Sequence, residues 1–591
     1  MNEAFVKYCI LNHINPNEAN EDIHTHWTEL NGSKKFIQKL NQVDRSLPIC
    51  VCGDYDADGI TATAIFCLIL KKAGFQDVDY VIPERSDGYG LKETTVKKAL
   101  EKGAKVLITC DNGIAALAGL QSAVNQGLKV FITDHHLAQN ESIEQILELA
   151  EAIVNPHYHF DGKKVLKSDG FSELSGAQTA YKIAQGISEE FSLKLEESFW
   201  TYLKTLAAIS VISDMMSLGA DLKHNENRTL VREGIKLLQE NPDFHLAALM
   251  DALGVHKSES TGFYQVDEST IGFYLAPALN ASGRIASASI AEDLLLSDTS
   301  EKAKNLAGIL KYLNDIRKEM KQFYCEQAKE SLSDSTAYCI QMDMPEGMTG
   351  IIAGVLCEET RKPCCIFAPS IFDGKKIWKA SCRSPKTVDL FAILNEIHTQ
   401  HPELLSSWGG HAQAAGISVE EEHFEKFNEV FCSLVSSFSF PDEEIHPFSL
   451  QGHEFKEFCK DLSTIKPFGH EFAAPQVQLR ASIQKADLFY KSGHVKLTTS
   501  DRIEIWLYYR LEDFLQSGFL DDFKKIKDNT KTRLETMDYE EAISGRCEAW
   551  IAPNPMNHPL KIMEFIGQAD WGWNMFGNPA PVLNVKNYQY I

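Results

Sequence analysis

Residues 49–59 read Ile49-Cys50-Val51-Cys52-Gly53-Asp54-Tyr55-Asp56-Ala57-Asp58-Gly59, an unbroken apolar run closed by three alternating aspartates and a glycine. The run reads as a strand buried on both faces, and the apolar stretch Ile60–Leu70 after it reads as the buried helix that follows. The arrangement recurs. Asp111-Asn112-Gly113 follows Val106-Leu107-Ile108-Thr109-Cys110, and Asp134-His135-His136 follows Val130-Phe131-Ile132-Thr133. Strands are expected near 49–53, 78–82, 105–110, 129–133 and 152–154, with helices at Thr61–Ala73, Leu91–Lys102, Ala115–Gln126 and Ser142–Leu149. Such alternation implies a parallel sheet covered on both faces. In these sheets, sites form beyond the carboxyl ends of the strands, which is where all three acidic motifs fall.

One acidic loop is ordinarily a solvated turn or a helix cap, and Gly59-Ile60-Thr61-Ala62 marks a tight strand-to-helix turn that one Asp could cap. Several together are different, because crowded carboxylates repel and a bound cation relieves the repulsion. Asp214, at the end of the apolar run Ala208-Ile209-Ser210-Val211-Ile212-Ser213, is a fourth candidate. Oxygen ligands with one or two imidazoles favour Mg²⁺ or Mn²⁺ over a thiolate zinc site. Two such ions ~3.5–4 Å apart activate a water and stabilise the leaving oxygen in phosphoester hydrolysis.

The remaining sequence sets the frame. A length of 591 residues implies three to five domains at roughly 100–200 residues each. The net charge of −24 excludes a uniformly basic nucleic-acid coat but leaves room for a local basic groove. Residues 451–591 hold 17 Lys+Arg against 19 Asp+Glu, so this end is the less acidic one. The 14 cysteines lack metal-finger spacing; Cys50-x-Cys52 and Cys364-Cys365 read as buried thiols of a reducing cytoplasm. Met1-Asn2-Glu3-Ala4 shows no signal-like start, and Ile60–Leu70 is too short to span a bilayer. A helical stretch, about 170–335, contains Ser175–Gly186, Phe199–Met216 and a long connecting helix Thr299–Leu332. A second α/β unit runs from Tyr338 to about Phe438, and the tail holds short β-rich segments (Val477–Ser482, His494–Thr499, Ile503–Tyr509, Leu560–Ile566) suited to a small barrel or sandwich. Lys524–Arg533 reads as a solvated helix face, Trp571–Phe576 as local packing of a terminal extension, and His157 and His159 as loop residues.

The set DYDADG, CDNG, TDHH and SD, in that order, resembles the four motifs of the DHH phosphoesterases. Gly409-Gly410-His411-Ala412-Gln413-Ala414-Ala415-Gly416 is similar to the signature of the DHH-associated domain. Pro83-x-Arg85 with Gly88-Tyr89-Gly90-Leu91, Asn280-Ala281-Ser282-Gly283-Arg284, and Ser381-Cys382-Arg383-Ser384 resemble one branch, the RecJ single-strand-specific exonucleases. Gly493-His494-Val495-Lys496-Leu497 fits that branch's OB-fold. The likeness covers roughly residues 45–510.

The resemblance implies an α/β chain: an N-terminal helical extension (1–45), a parallel-sheet DHH catalytic domain (46–225), a helical connector (226–335) with a long helix, a smaller α/β DHH-associated domain (336–445), and a β-rich OB-fold domain with a C-terminal extension (446–591). It implies metal ligands among Asp54, Asp56, Asp58, Asp111, His135 and Asp214, with Asp111 bridging two Mn²⁺ or Mg²⁺ ions and His136 in support. Arg85, Arg284, Ser381 and Arg383 would hold substrate phosphates, including a 5′-terminal one, as guanidinium forks do. His411 would bond the scissile phosphate. The implied activity is cytoplasmic, metal-dependent hydrolysis of single-stranded DNA from its 5′ end to mononucleotides, in recombination and repair. A monomer is expected, with a single-strand-binding protein and a helicase as partners and no membrane.

Three departures accompany the likeness. Cys52 stands where some members carry a metal-binding His, so one ion is expected to be less saturated or more water-bound. Gly219–Asn225 lengthens the loop after Asp214. Pro467-Phe468-Gly469-His470-Glu471-Phe472-Ala473-Ala474-Pro475 replaces a more Gly/Asn/Pro-rich turn. Two other readings stand beside the exonuclease. One is a DHH-type phosphodiesterase of short oligonucleotides or cyclic dinucleotides, which generally stops after the associated domain. The other is a non-catalytic replication or repair scaffold, which typically loses acidic motif residues.

Overall fold

The computed structural model describes residues 2–88, 90–138, 142–161, 164–167, 174–219, 225–259, 261–372, 375–438, 447–489, 493–508, 510–516, 548–551, 562–573 and 579–590. Its first sheet holds β1 (Ile49–Cys52), β2 (Val78–Val81), β3 (Val106–Cys110), β4 (Lys129–Thr133) and β5 (Ala152–Val154), in the order β2-β1-β3-β4-β5. Every pairing is parallel. The unbroken apolar runs have the cause the sequence suggests: Ile49 and Val51 face one core cluster with Phe66 and Phe131, while Cys50 and Cys52 face the other with Leu107 and Val130. Strand order reverses between β1 and β3. The loops after these two strands therefore flank the crevice where such sheets place their sites.

The helix after β1 is Ala57–Lys72, starting four residues earlier than the apolar periodicity suggests. The acidic turn is itself the first helical turn, because the Asp56 side chain accepts the Gly59 N–H at 3.0 Å and caps it. Helices Gly176–Glu190 and Glu197–Ser213 pack on this helix, the second ending at Asp214. A short hairpin, β6 (Tyr158–Asp161) and β7 (Lys164–Lys167), places His159 on a strand rather than in a loop. The expected connecting helix is present as Ser300–Glu330.

The second α/β unit has the sheet β8 (Tyr338–Gln341), β9 (Cys364–Phe372), β10 (Lys375–Arg383), β11 (Ser407–Gly410) and β12 (Ala414–Glu420), ordered β11-β12-β10-β9-β8. Only β8 and β9 run parallel. The last sheet comprises β13 (Phe448–Gln451), β14 (Gln476–Phe489), β15 (His494–Thr499), β16 (Glu504–Leu507), β17 (Glu548–Ile551), β18 (Ile562–Trp573) and β19 (Pro579–Tyr590).

Five of these strands close a barrel: β14-β15-β16-β19-β18, with β18 pairing back to β14 and only β16 and β19 parallel. This is the expected OB-type architecture. It bears out Leu560–Ile566 as a barrel segment, of which Ile562–Ile566 lies in β18, and corrects the reading of Trp571 as part of a terminal extension, since Trp571 lies on β18 and β19 is a further barrel strand. Without them β14 and β16 would be open edges. Trp571 is half-buried against the main core, and Lys524–Arg533 lies outside the described residues. Barrel residues Leu479, Val495, Ile505 and Phe565 join the same apolar cluster as one face of the parallel sheet. Among the described residues no helix is long and apolar enough to cross a membrane.

Candidate active site

The three aspartates after β1 have different surroundings. Asp54 is buried and its Oδ1 meets no hydrogen-bond donor. Asp56 is half-buried and caps its own helix. Asp58 is buried, and both its oxygens are taken: Oδ2 accepts the Gly176 N–H at 2.7 Å, and Oδ1 accepts the Ala177 N–H at 2.7 Å and the Ser210 hydroxyl at 2.6 Å. It thus neutralises the positive end of helix Gly176–Glu190.

Asp111 follows β3 with a left-handed backbone, φ 61°, a conformation Asp tolerates better than most side chains. A Cβ at position 176 would stand 2.7 Å from the Asp111 Cβ, so this approach requires Gly176. Asn112 Nδ2 donates to Cys52 O at 3.1 Å and to Cys110 O at 3.0 Å, tying together the ends of β1 and β3. The Cys52 thiol is fully buried in the core on one sheet face.

Asp134 orients the loop after β4. It accepts the N–H groups of Ile114 (2.8 Å), His135 (2.8 Å) and His136 (3.0 Å), and pairs with His136 Nδ1 at 2.8 Å. His135 Nε2 then lies 3.0 Å from Asp111 Oδ1, 3.4 Å from Asp214 Oδ2 and 3.6 Å from Asp58 Oδ2. Ligand atoms of Asp54, Asp56 and Asp111 lie within 4.8 Å of one another, as do those of Asp58, His135 and Asp214, and those of Asp111, His135 and His136.

This convergence is electrostatically costly without a cation. Burial, then the neighbouring carboxylates, pushes Asp54, Asp56 and Asp111 above the ordinary carboxylate range, and Asp214 up to about 9. Burial, the largest single effect, would lower His136, but the Asp134 charge and hydrogen bond together with the charges of Asp214 and Asp58 outweigh it and raise the imidazole to about 9. Burial holds His135 below its ordinary value, so its neutral form can offer a lone pair. The donor set is oxygen-rich with imidazole, and the Asp54 Oδ1 orphan points to a missing positive partner. The residues therefore fit a divalent cation.

A second cluster is basic. Arg85 Nε donates to Gly283 O at 2.9 Å, and its guanidinium lies 4.1 Å from the Tyr55 ring centroid. Arg284 Nη1 donates to Gly347 O at 3.1 Å. Burial lowers Arg284 to about 9, helped by the charges of Arg85, Arg317 and Arg383, a crowding that an anion relieves. Ser381 Oγ lies 2.9 Å from Thr349 Oγ1, at the start of helix Thr349–Thr360, and Gly350 lies against both Arg383 and Ser381.

Tyr55 joins the clusters, since it stands between Asp54 and Asp56 and under Arg85. Asn280 Oδ1 also joins them by accepting the Ala57 N–H at 2.8 Å. His411 is exposed on the β11–β12 turn. Its N–H donates to Ala414 O at 2.8 Å, and Ala414 pairs with Arg383, so His411 sits at the Arg383 end of the sheet. The sequence reading missed the orienting work of Asp134, Asn112, Asn280 and Ser210. Asn112, Asp134 and Asn280 each stood inside a quoted motif, and only Ser210, within an apolar helical run, carried no signal of its own.

Comparison with known proteins places the chain in a family. The chain matches the DHH family, N-terminal domain, over residues 48–210 and the DHHA1 domain over 334–437. It is 33% identical over 414 residues to the single-stranded-DNA-specific exonuclease RecJ of Haemophilus influenzae, spanning 67% of each chain. The Escherichia coli RecJ is 32% identical over 444 residues, 72% of each chain. RecJ from Thermus thermophilus in complex with Mn2+ shares the fold, with a TM-score of 0.71 at 21% identity, covering 100% of this chain and 76% of that one. An exonuclease RecJ bound to manganese gives a TM-score of 0.56 at 27% identity, covering 71% of this chain and 97% of that one. This chain belongs to the RecJ family of single-stranded-DNA-specific exonucleases, within the DHH phosphoesterases.

Proposed function

We propose that this chain is a metal-dependent exonuclease that degrades single-stranded DNA 5′→3′ to mononucleotides, serving recombination and repair. The observation that carries this reading is the pair of clusters joined at Tyr55 and Asn280: carboxylates and imidazole on one side, arginines on the other. Asp54, Asp56, Asp111, His135 and Asp214 hold two Mn²⁺ or Mg²⁺ ions. When bound, the ions supply nucleophile activation and charge neutralisation. Asp58 and His136 support, since Asp58 caps a helix and His136 leans on Asp134.

Arg284, Arg85, Arg383 and Ser381 take the substrate phosphates, and Arg284, crowded by the charges of Arg85, Arg317 and Arg383, takes the 5′-terminal one. His411 donates to the scissile phosphate from the turn beside Arg383. The barrel holds the rest of the strand by stacking and backbone contacts. Partner proteins (a single-strand-binding protein and a helicase), a monomeric state, a cytoplasmic location and the five-domain partition at 1–45, 46–225, 226–335, 336–445 and 446–591 belong to the same proposal.

The test is a 3′-labelled single strand, with and without a 5′-phosphate, digested in Mn²⁺. Mononucleotides released from the 5′ end, faster from the phosphorylated strand, are expected. Internal cuts or release from the 3′ end would overturn the polarity.

A further inference from the structure

The segment 467–475 departs from the related turn, and the proposed function leaves it unused. In the structure, residues 466–472 lead into the barrel and touch two segments of the site. One arm meets the residues after Asp214. Glu471 accepts the Ser217 hydroxyl at 2.5 Å, and Leu218 donates its N–H to His470 O at 3.0 Å. Gly219 lies so close that a Cβ there would stand 2.5 Å from Glu471 O.

The other arm meets the start of the helical run that ends in Asn280 and Arg284. Lys466 is largely buried between Glu268 at 3.4 Å and Asp570 of β18 at 2.7 Å, and Phe468 donates its N–H to the same Glu268 at 3.2 Å. Arg228, only 1% exposed, closes the joint. Its guanidinium donates to Leu218 O and Pro467 O, each at 3.0 Å, and to Ile465 O at 2.7 Å, and it lies 4.3 Å from the Phe472 ring centroid. Glu471 has φ 59°, a left-handed backbone that Asn and Gly adopt more readily than Glu. A longer acid in a place that suits Asn or Gly needs a reason, and its bond to Ser217 supplies one.

We infer that residues 466–472 form a two-armed brace that sets the geometry of both clusters, with Glu471 and Lys466 as positioning residues. Glu471, through Ser217, holds the segment that carries Asp214 for the metal. Lys466, through Glu268, holds the helix that carries Asn280 and Arg284 for the 5′-phosphate. The barrel is then a structural part of the site as well as a strand-binding platform. The inference rests on the roles proposed above for Asp214 and Arg284.

The experiment uses the full chain. Glu471→Asn suits the left-handed backbone but is too short to reach Ser217. Mn²⁺ binding is read without DNA, from the electron paramagnetic resonance signal of free Mn²⁺, and thermal unfolding is read in chelator. The expected result is affinity weakened by about tenfold, the low end for outer partners of metal ligands, with no fall in thermal midpoint. Glu471→Gln, which can still accept the Ser217 hydroxyl, regains most of the affinity.

For the second arm, Lys466→Met loses the wild-type preference for a 5′-phosphorylated over a 5′-hydroxyl strand, and Lys466→Arg keeps it. If Lys466→Met does not fold, Glu268→Gln makes the same comparison. Unchanged Mn²⁺ affinity in Glu471→Asn, or unchanged 5′-phosphate preference in the second set, overturns the corresponding arm. A wild type that neither binds Mn²⁺ nor prefers the 5′-phosphate overturns the site assignment, and the brace with it.

Discussion

Asp54 and Asp58 stand four residues apart in one acidic turn and do opposite work. Asp58 accepts three donors from two helices, whereas Asp54 keeps a buried oxygen with no donor. Replacing Asp58 by Asn turns an acceptor into a donor facing donors and should cost about 1–3 kcal/mol of stability. Replacing Asp54 by Asn removes a repelled charge, so in chelator the thermal midpoint should hold or rise while Mn²⁺ binding is lost. Thermal unfolding of both variants in chelator separates the two roles.

Glu292 is a second residue-scale case. It is fully buried, neither carboxyl oxygen has a hydrogen-bond partner, and burial pushes its pKa well above the ordinary 4.5. A carboxyl raised in the folded state leaves stability intact below its unfolded value and erodes it as pH climbs towards the folded value. Glu292→Leu should therefore be at least as stable as wild type at pH 5 and gain on it by pH 8. Denaturant unfolding at the two pH values checks this. A wild type that gains on the variant with rising pH would contradict it.

At the scale of elements, strand ends bring the site together. Asp134 binds two N–H groups and one imidazole of the loop after β4 and the Ile114 N–H of the loop after β3, so the ring positions of His135 and His136 depend on it. Asp134→Asn should weaken Mn²⁺ binding by about 10–100-fold, as loss of an outer partner does, without removing any ligand. Direct titration reads this, and unchanged affinity would show that the loop holds itself.

The strands and the acidic motifs were legible because a doubly covered parallel strand must be apolar throughout, which makes each acidic residue at its end conspicuous. The division of labour was not legible. Asp58 differs from Asp54 because Gly176 and Ser210, 118 and 152 residues later, donate to it. The last barrel strand was also hidden, since β19 finds its parallel partner β16 only across a long intervening segment. Cys52 illustrates the reverse. As a motif position it is a departure; as a strand residue facing the core it is an ordinary buried thiol.

At the scale of the whole molecule, the parallel sheet, the helical stretch and the barrel share one apolar cluster, while the second α/β unit carries its own cores. Arg228 joins the first group through carbonyls of Ala19, Leu218, Ile465 and Pro467. Arg228→Leu should cost about 3 kcal/mol or more, since hydrogen bonds to a charged group are worth roughly 1.5–3 kcal/mol each and their buried carbonyls would be left unpaired. Calorimetry should show the barrel melting ahead of the rest, and a single unshifted transition would contradict the joint.

The central claim is that the converging carboxylates and His135 make a divalent-metal centre that hydrolyses single-stranded DNA. Its most direct measurement is Mn²⁺-dependent release of mononucleotides from a 5′-phosphorylated single strand, run beside the same sequence as duplex and beside Asp111→Ala. Release from the single strand only, abolished by chelator and by Asp111→Ala, is the predicted result. Undiminished cleavage by Asp111→Ala, or equal rates on single strand and duplex, would contradict the account.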